Sequence, residues 1–180
     1  YEMVCSLIRG VTVNVNDIRR MLSRYHWEVN HEYQVLLFQF QEGASGGVGM
    51  AYYKSQIRKL FHDCYVVEEA DRFICIRNLS RSEEGSRNYE ETVPYFLRET
   101  LCKAGISGVF RDFRWLHWYC LEAERALNVG ERTDSTKWYY FFPKYVVPYM
   151  MEQCIQELTA EQVCHPALAV LRDYDSRNET

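Results

Sequence analysis

The chain has 180 residues, 47% of them hydrophobic and 15% aromatic, enough for a packed core and far from the composition of a disordered segment. With 21 basic against 25 acidic residues the net charge is −4. That excludes the broadly basic face with which a protein grips nucleic-acid phosphates by itself.

Residues 2–9 form a short apolar segment with helical potential, and no basic region feeds an apolar stretch as in a signal peptide. The start at Tyr1 leads us to expect a piece of a longer chain. Asn14-Val15-Asn16-Asp17 offers helix N-caps, and Ile18, Met21, Leu22 and Tyr25 recur at helical spacing, predicting a helix over 16–26. Tyr33 to Phe40 is almost entirely apolar and short, the pattern of a strand buried on both faces. Glycines at 43, 46, 47 and 49 precede a helical pattern from Met50 to Phe61, carried by Tyr53, Ile57, Leu60 and Phe61. Cys64 to Val67 and Arg72 to Arg77 read as two strands of a hairpin turning at Glu68-Glu69-Ala70-Asp71.

A polar loop follows over 79–88. A helix is predicted from Tyr89 to Lys103, with Pro94 acceptable in its first turn, then a strand from Gly105 to Phe110. The helix near 113–128 carries an apolar stripe of Phe113, Leu116, Cys120, Ala123 and Leu127, with Asp112 as its cap. Trp138 to Phe142 reads as a last strand, and 144–173 as helical with Pro148 and Pro166 at breaks or first turns. Strands separated by helices, with one hairpin, predict an α/β (α+β) architecture: a mixed sheet of about five strands flanked by helices. Helical extensions are expected at both ends. No run of about 18 apolar residues is present, so no membrane span is expected.

Trp115 and Trp118 point away from the apolar stripe at roughly 100° per residue. Either a neighbouring helix or the tail covers them, or they contact another subunit or domain. The glycine-rich loop sits between strand and helix, where a phosphate cradle would sit. It lacks a Gly-Lys-Ser/Thr, and Gly47-Val48-Gly49 is followed by Tyr52 where a dinucleotide fingerprint wants Gly, so a surface loop is the expectation.

His62 with Cys64, and Cys164 with His165, lack the paired spacing of a zinc knuckle; a Cys–His nucleophilic pair formed only in the fold stays open. The seven cysteines, Cys5, Cys64, Cys75, Cys102, Cys120, Cys154 and Cys164, are odd in number and mostly inside apolar patterns. They are expected to be buried free thiols of a reducing cytoplasm. Glu68, Glu69 and Asp71 are acids on a tight turn, read as solvated.

Two stretches resemble the PucR/CdaR-type bacterial transcription regulators. In residues 105–130, Tyr119, Ala123, Ala126, Leu127 and Gly130 match a Tyr-x-x-x-Ala-x-x-Ala-Leu helix signature with a closing Gly. Residues 165–180, opening with His165-Pro166, look like the linker that leads to a C-terminal helix-turn-helix.

The resemblance implies a helical lead-in over 1–30, a GGDEF-like, nucleotidyl-cyclase-like domain over 31–143 and a helical linker over 144–180. It also implies a cytoplasmic regulator, a homodimer, and DNA contact only through a segment absent here. Related cyclases hold metal ions with acids at the end of the first strand and in a Gly-Gly-Asp/Glu-Glu-Phe hairpin. Here the first strand ends Phe38-Gln39-Phe40-Gln41 without a carboxylate, and the hairpin has acids but no glycine. Side chains at 69 and 70 would crowd a nucleotide. The expectation is therefore no catalytic residue, no metal and no cofactor, but a non-catalytic relay domain. An alternative is a sensor for an unidentified small-molecule effector, with Tyr52, Tyr53 and Trp138 to Phe142 lining an apolar pocket. A degenerate nucleotide-binding enzyme is the third reading.

Overall fold

The computed structural model describes residues 1–40, 49–61, 63–69, 72–81, 89–155, 162 and 164–178. The expectations for the glycines at 43, 46 and 47, for His62, for Ala70 and Asp71 and for loop residues 82–88 lie outside the described residues. The chain divides into two compact units, Tyr1–Tyr145 and Val146–Thr180.

The first unit is built on a five-stranded mixed sheet in the order β2-β3-β1-β4-β5. Its strands are β1 (Tyr33–Phe40), β2 (Cys64–Glu69), β3 (Arg72–Asn78), β4 (Cys102–Phe110) and β5 (Tyr139–Phe141). β1 lies centrally, antiparallel to both β3 and β4, while β4 and β5 run parallel. The apolar run of β1 needed that place: all its residues but Gln39 are buried. Each large apolar side chain so removed from water contributes about 1.5–3 kcal/mol.

Alternation along the strands makes two apolar faces. One carries Leu36, Phe38, Phe40, Phe73, Cys75, Ala104 and Ile106 in one cluster with residues of α3 (Met50–Leu60) and α4 (Tyr89–Glu99). The other lies under α5 (Leu116–Thr133), against which α1 (Glu2–Ile8) packs. The mixed sheet flanked by helices is the architecture expected from the sequence. α2 (Val15–Ser23) also begins as expected: Asn14 caps it by accepting a hydrogen bond from the Asn16 amide at 2.9 Å, and Ile18 and Leu22 are buried.

Several boundaries differ from expectation, each for a local reason. α2 stops at Ser23 rather than 26, because His26 takes φ +56 and the Trp27 amide turns back to the Leu22 carbonyl at 3.0 Å. The helix expected to reach Lys103 ends at Glu99. Leu101 at φ +50 breaks it, and β4 then starts at Cys102, paired with Phe40, three residues ahead of Gly105.

Pro94 is the sixth residue of α4, beyond the first turn, so α4 forgoes one internal hydrogen bond there. Residues 113–115 form a 3₁₀ turn before α5, and the Asp112 carboxylate caps that turn, accepting from the Arg114 amide at 3.0 Å, rather than α5 itself, which starts at Leu116 without a side-chain cap. The last strand is only Tyr139–Phe141, since Pro143 steers Phe142–Lys144 into a 3₁₀ turn.

The second unit contains α6 (Val146–Cys154) and α7 (Pro166–Asn178), with Pro148 and Pro166 both in first turns. No helix among the described residues is long and apolar enough to cross a membrane.

Candidate functional site

The two ends of β1 are chemically different. At its C-terminal end lies the β2–β3 hairpin, whose acids the sequence reads as solvated and without a metal. Both described acids are held by cations. Glu69 receives Arg72 at 3.0 Å, and the same guanidinium reaches across to Glu124 of α5 at 2.9 Å. Glu68 pairs with Lys54 of α3 at 3.5 Å.

Glu68 is exposed and Glu69 half-buried, in keeping with acids read as solvated, and ion pairs also link them to the helices on both faces. Beside them β1 ends in Phe40, whose ring meets Tyr53 with centroids 4.4 Å apart and Phe73 at 5.8 Å. Among the described residues, no group of three or more His, Cys, Asp or Glu side chains gathers as a metal site would. Among the described residues, this end of the sheet carries packed rings and ion pairs.

At the N-terminal end of β1 a cavity of about 260 Å³ opens on the α3/α4 face. Gln34 and Ile106 line it from the sheet, Val93 and Pro94 from α4, and Tyr139, Phe141 and Lys144 from β5 and the turn after it. Gln34 is 9% exposed, its amide held by donation to the Ser107 carbonyl at 3.2 Å and by acceptance from Arg77 at 3.5 Å. Arg77 lies behind it, buried over the Phe61 ring at 4.5 Å.

The two aromatic segments expected to share one pocket do not converge. Tyr139 and Phe141 line this cavity, whereas Tyr53 packs on Phe40 at the other end of β1 and Tyr52 is exposed. Lys144 and Gln34 were missed from sequence; the only hint was a lysine closing the aromatic run.

The signature residues of α5 explain themselves by packing. Ala123 faces Gly105 of β4 so closely that a Cβ there would lie 2.9 Å from the Ala123 carbonyl carbon and collide with its oxygen. Ala126 and Leu127 are buried beside it, and Tyr119 stacks on Phe110 with centroids 4.2 Å apart. Gly130 does not close the helix, which continues to Thr133. It is small because the Tyr140 ring packs against it, and a Cβ would approach the Tyr140 Cβ to 2.8 Å. The Tyr140 hydroxyl donates to the carbonyls of Asp134 and Lys137, both at 2.9 Å.

Trp115 and Trp118 are 53% and 56% exposed and edge a groove of about 470 Å³ with Leu7, Val11, Val13, Ile18 and His117. His117 holds the lead-in through Nδ1, 2.7 Å from the Ile8 carbonyl. In the second unit His165 caps α7, its Nδ1 accepting from the Ala167 amide at 3.2 Å, with Pro166 as the first helical residue.

All seven cysteines are free, but the expected burial holds for Cys75, Cys102 and Cys120, while Cys154 and Cys164 are exposed. Burial pushes the thiols of Cys75, Cys102 and Cys120 up. Cys64 is lowered, first by a hydrogen bond with the Cys75 thiol and then, against burial, by Arg58 and Arg77.

Comparison with known families matches residues 10–129, two thirds of the chain, to the family described as the GGDEF-like domain. No curated protein matches the chain significantly.

Proposed function

The chain belongs to the GGDEF-like domain family, and from that premise we propose that it is a non-catalytic relay domain of a bacterial, cytoplasmic transcription regulator of the PucR/CdaR type. The observation that carries the non-catalytic part is the Arg72 bridge. A metal–triphosphate site needs free carboxylate oxygens and room for the backbone to approach the nucleotide. At the hairpin, Glu69 and Glu124 share one guanidinium, Glu68 is paired with Lys54, and the strand end opposite is a phenylalanine. Incubation of the protein with GTP and Mg²⁺, followed by product analysis, tests this. No cyclic or linear dinucleotide is expected, and a product formed at a rate proportional to protein would overturn the reading.

In this reading DNA contact belongs to a helix-turn-helix outside these 180 residues, and residues 165–178 act as the connecting helix. The regulator would be a homodimer using Trp115 and Trp118, and its domain would bias two packings of the connecting helices. The resemblance of residues 105–130 and 165–180 supports the regulator class. Deleting residues 31–142 from the full regulator should change operator affinity or its response to effector. Unchanged operator binding and response would sink the relay. A sensor role is the second reading, favoured by the cavity between Gln34 and Lys144.

A further inference from the structure

The cavity at the N-terminal end of β1 is placed and charged unlike the hairpin end. Gln34 and Phe40 are six residues apart on one strand, about 20 Å at roughly 3.3 Å per residue. Tyr139 and Phe141 stand level with Phe38 and Leu36 but on β5, across β1 and β4 from the hairpin where the related cyclases hold nucleotide. Its walls are apolar and aromatic: Ile106 and Val93 are buried, Pro94 closes one side, and Phe141 and Tyr139, two residues apart on the edge strand β5, share the face that lines it.

Among the described residues no carboxylate pairs with Lys144, which stands exposed at the rim. Gln34 is fixed at the floor by Ser107, with the Arg77 guanidinium 3.5 Å behind its amide oxygen. Lys144 is the one charged side chain among the described residues that line the cavity, and the rest of that lining is suited to a ring.

Size narrows the occupant. A cavity of about 150 Å³ holds benzene, so about 260 Å³ has room for one ring and a small polar group. We propose that this cavity is a binding site for a planar, single-ring aromatic monoanion of the benzoate class, its ring against Phe141 and Tyr139 and its carboxylate on the Lys144 ammonium. Binding there needs no relay, so the site stands or falls independently of the regulator reading. If both hold, the ligand grips the Phe142–Lys144 turn, two residues before the second unit begins at Val146.

The test uses benzoate, benzamide and benzamidine, three probes of one shape with charges of −1, 0 and +1. Each is titrated into the ¹⁵N-labelled chain, with amide shifts followed by NMR. Benzoate is expected to shift Ile106, Tyr139 and Phe141 saturably and to bind at least tenfold more tightly than benzamide, with benzamidine weakest. Lys144→Glu, at an exposed position where folding is not at stake, should reverse that order. Phe141→Ala should weaken all three probes in similar proportion.

Failure of benzoate to move those amides would overturn the site. So would equal affinity for benzoate and benzamide, or an order unchanged in Lys144→Glu. Loss of operator response in the full regulator with benzoate binding intact would instead count against the relay alone.

Discussion

Gly105→Ala attacks the closest contact between helix and sheet. The added methyl would stand 2.9 Å from the Ala123 carbonyl carbon and 3.0 Å from the Leu127 Cβ, and it would overlap the Ala123 oxygen. Carbon atoms pack best at about 3.5–4.0 Å. Two of the three obstacles are backbone, so no rotamer change relieves them. α5 must retreat from β4 by more than about 0.5 Å along a helix that buries Leu116, Cys120, Ala123, Ala126 and Leu127.

Overpacking of this kind costs about 1–3 kcal/mol, and rigid backbone places it at the top of that range. At about 2–4 °C per kcal/mol for a chain of this length, the melting temperature should fall by about 6–12 °C. Gly108→Ala, three residues on, is the internal control. Its nearest obstacle is the Glu122 carboxylate end at 3.3 Å, which can swing away. Thermal melts followed by circular dichroism decide the matter. If Gly105→Ala melts within about 2 °C of the parent, or no lower than Gly108→Ala, the close approach assigned to the Gly105–Ala123 pair is wrong.

Alkaline pH should destabilise the protein. Cys75, Cys102 and Cys120 have thiols raised by burial, so the folded chain keeps protons that the unfolded chain releases above about pH 8.5. Their contribution is complete below that pH and lost above it, with a slope approaching about 1.4 kcal/mol per pH unit for each thiol. Cys64, lowered in the folded state, works in the opposite sense. A melting temperature flat between about pH 8 and pH 10 in Cys64→Ala would contradict this.

Arg72→Met should cost about 0.5–1 kcal/mol, since the bridge is about one-third exposed and partly screened. A denaturant double-mutant cycle with Glu124→Gln should show coupling, and strict additivity would mean that the bridge holds nothing. Replacing Trp115 and Trp118 together by Gln should leave stability within about 0.5 kcal/mol, as for exposed positions. It should weaken self-association in sedimentation velocity if these rings join two copies.

What the sequence made legible was periodic. The apolar run Tyr33–Phe40 could only be a doubly buried strand, and the 3-and-4 spacing from Leu116 to Leu127 could only face a sheet. What stayed hidden depended on one dihedral or on partners far along the chain. Leu101 is an ordinary helix former, and nothing in its neighbours announces the left-handed turn that moves β4 three residues forward. Gly130 looked like a terminator because glycine usually ends helices. Its real cause is a tyrosine ring ten residues later. The Arg72–Glu124 bridge spans 52 residues, and the cavity draws on five separate elements, so neither has a local sequence pattern.

These two long-range features divide the domain's chemistry. Ion pairs at the hairpin make that end self-sufficient: each described acid already has a cation, and a ligand there would have to break protein contacts before making its own. At the other end Lys144 lacks such a partner among the described residues, and the adjoining space is lined rather than filled. Binding shows only the surplus of new contacts over the cost of ordering and desolvating the groups that make them, so a site whose groups are already paired with one another starts at a disadvantage. By that criterion, the proposed ligand site lies at the β5 end of the sheet, where the benzoate titration tests it, rather than at the hairpin end.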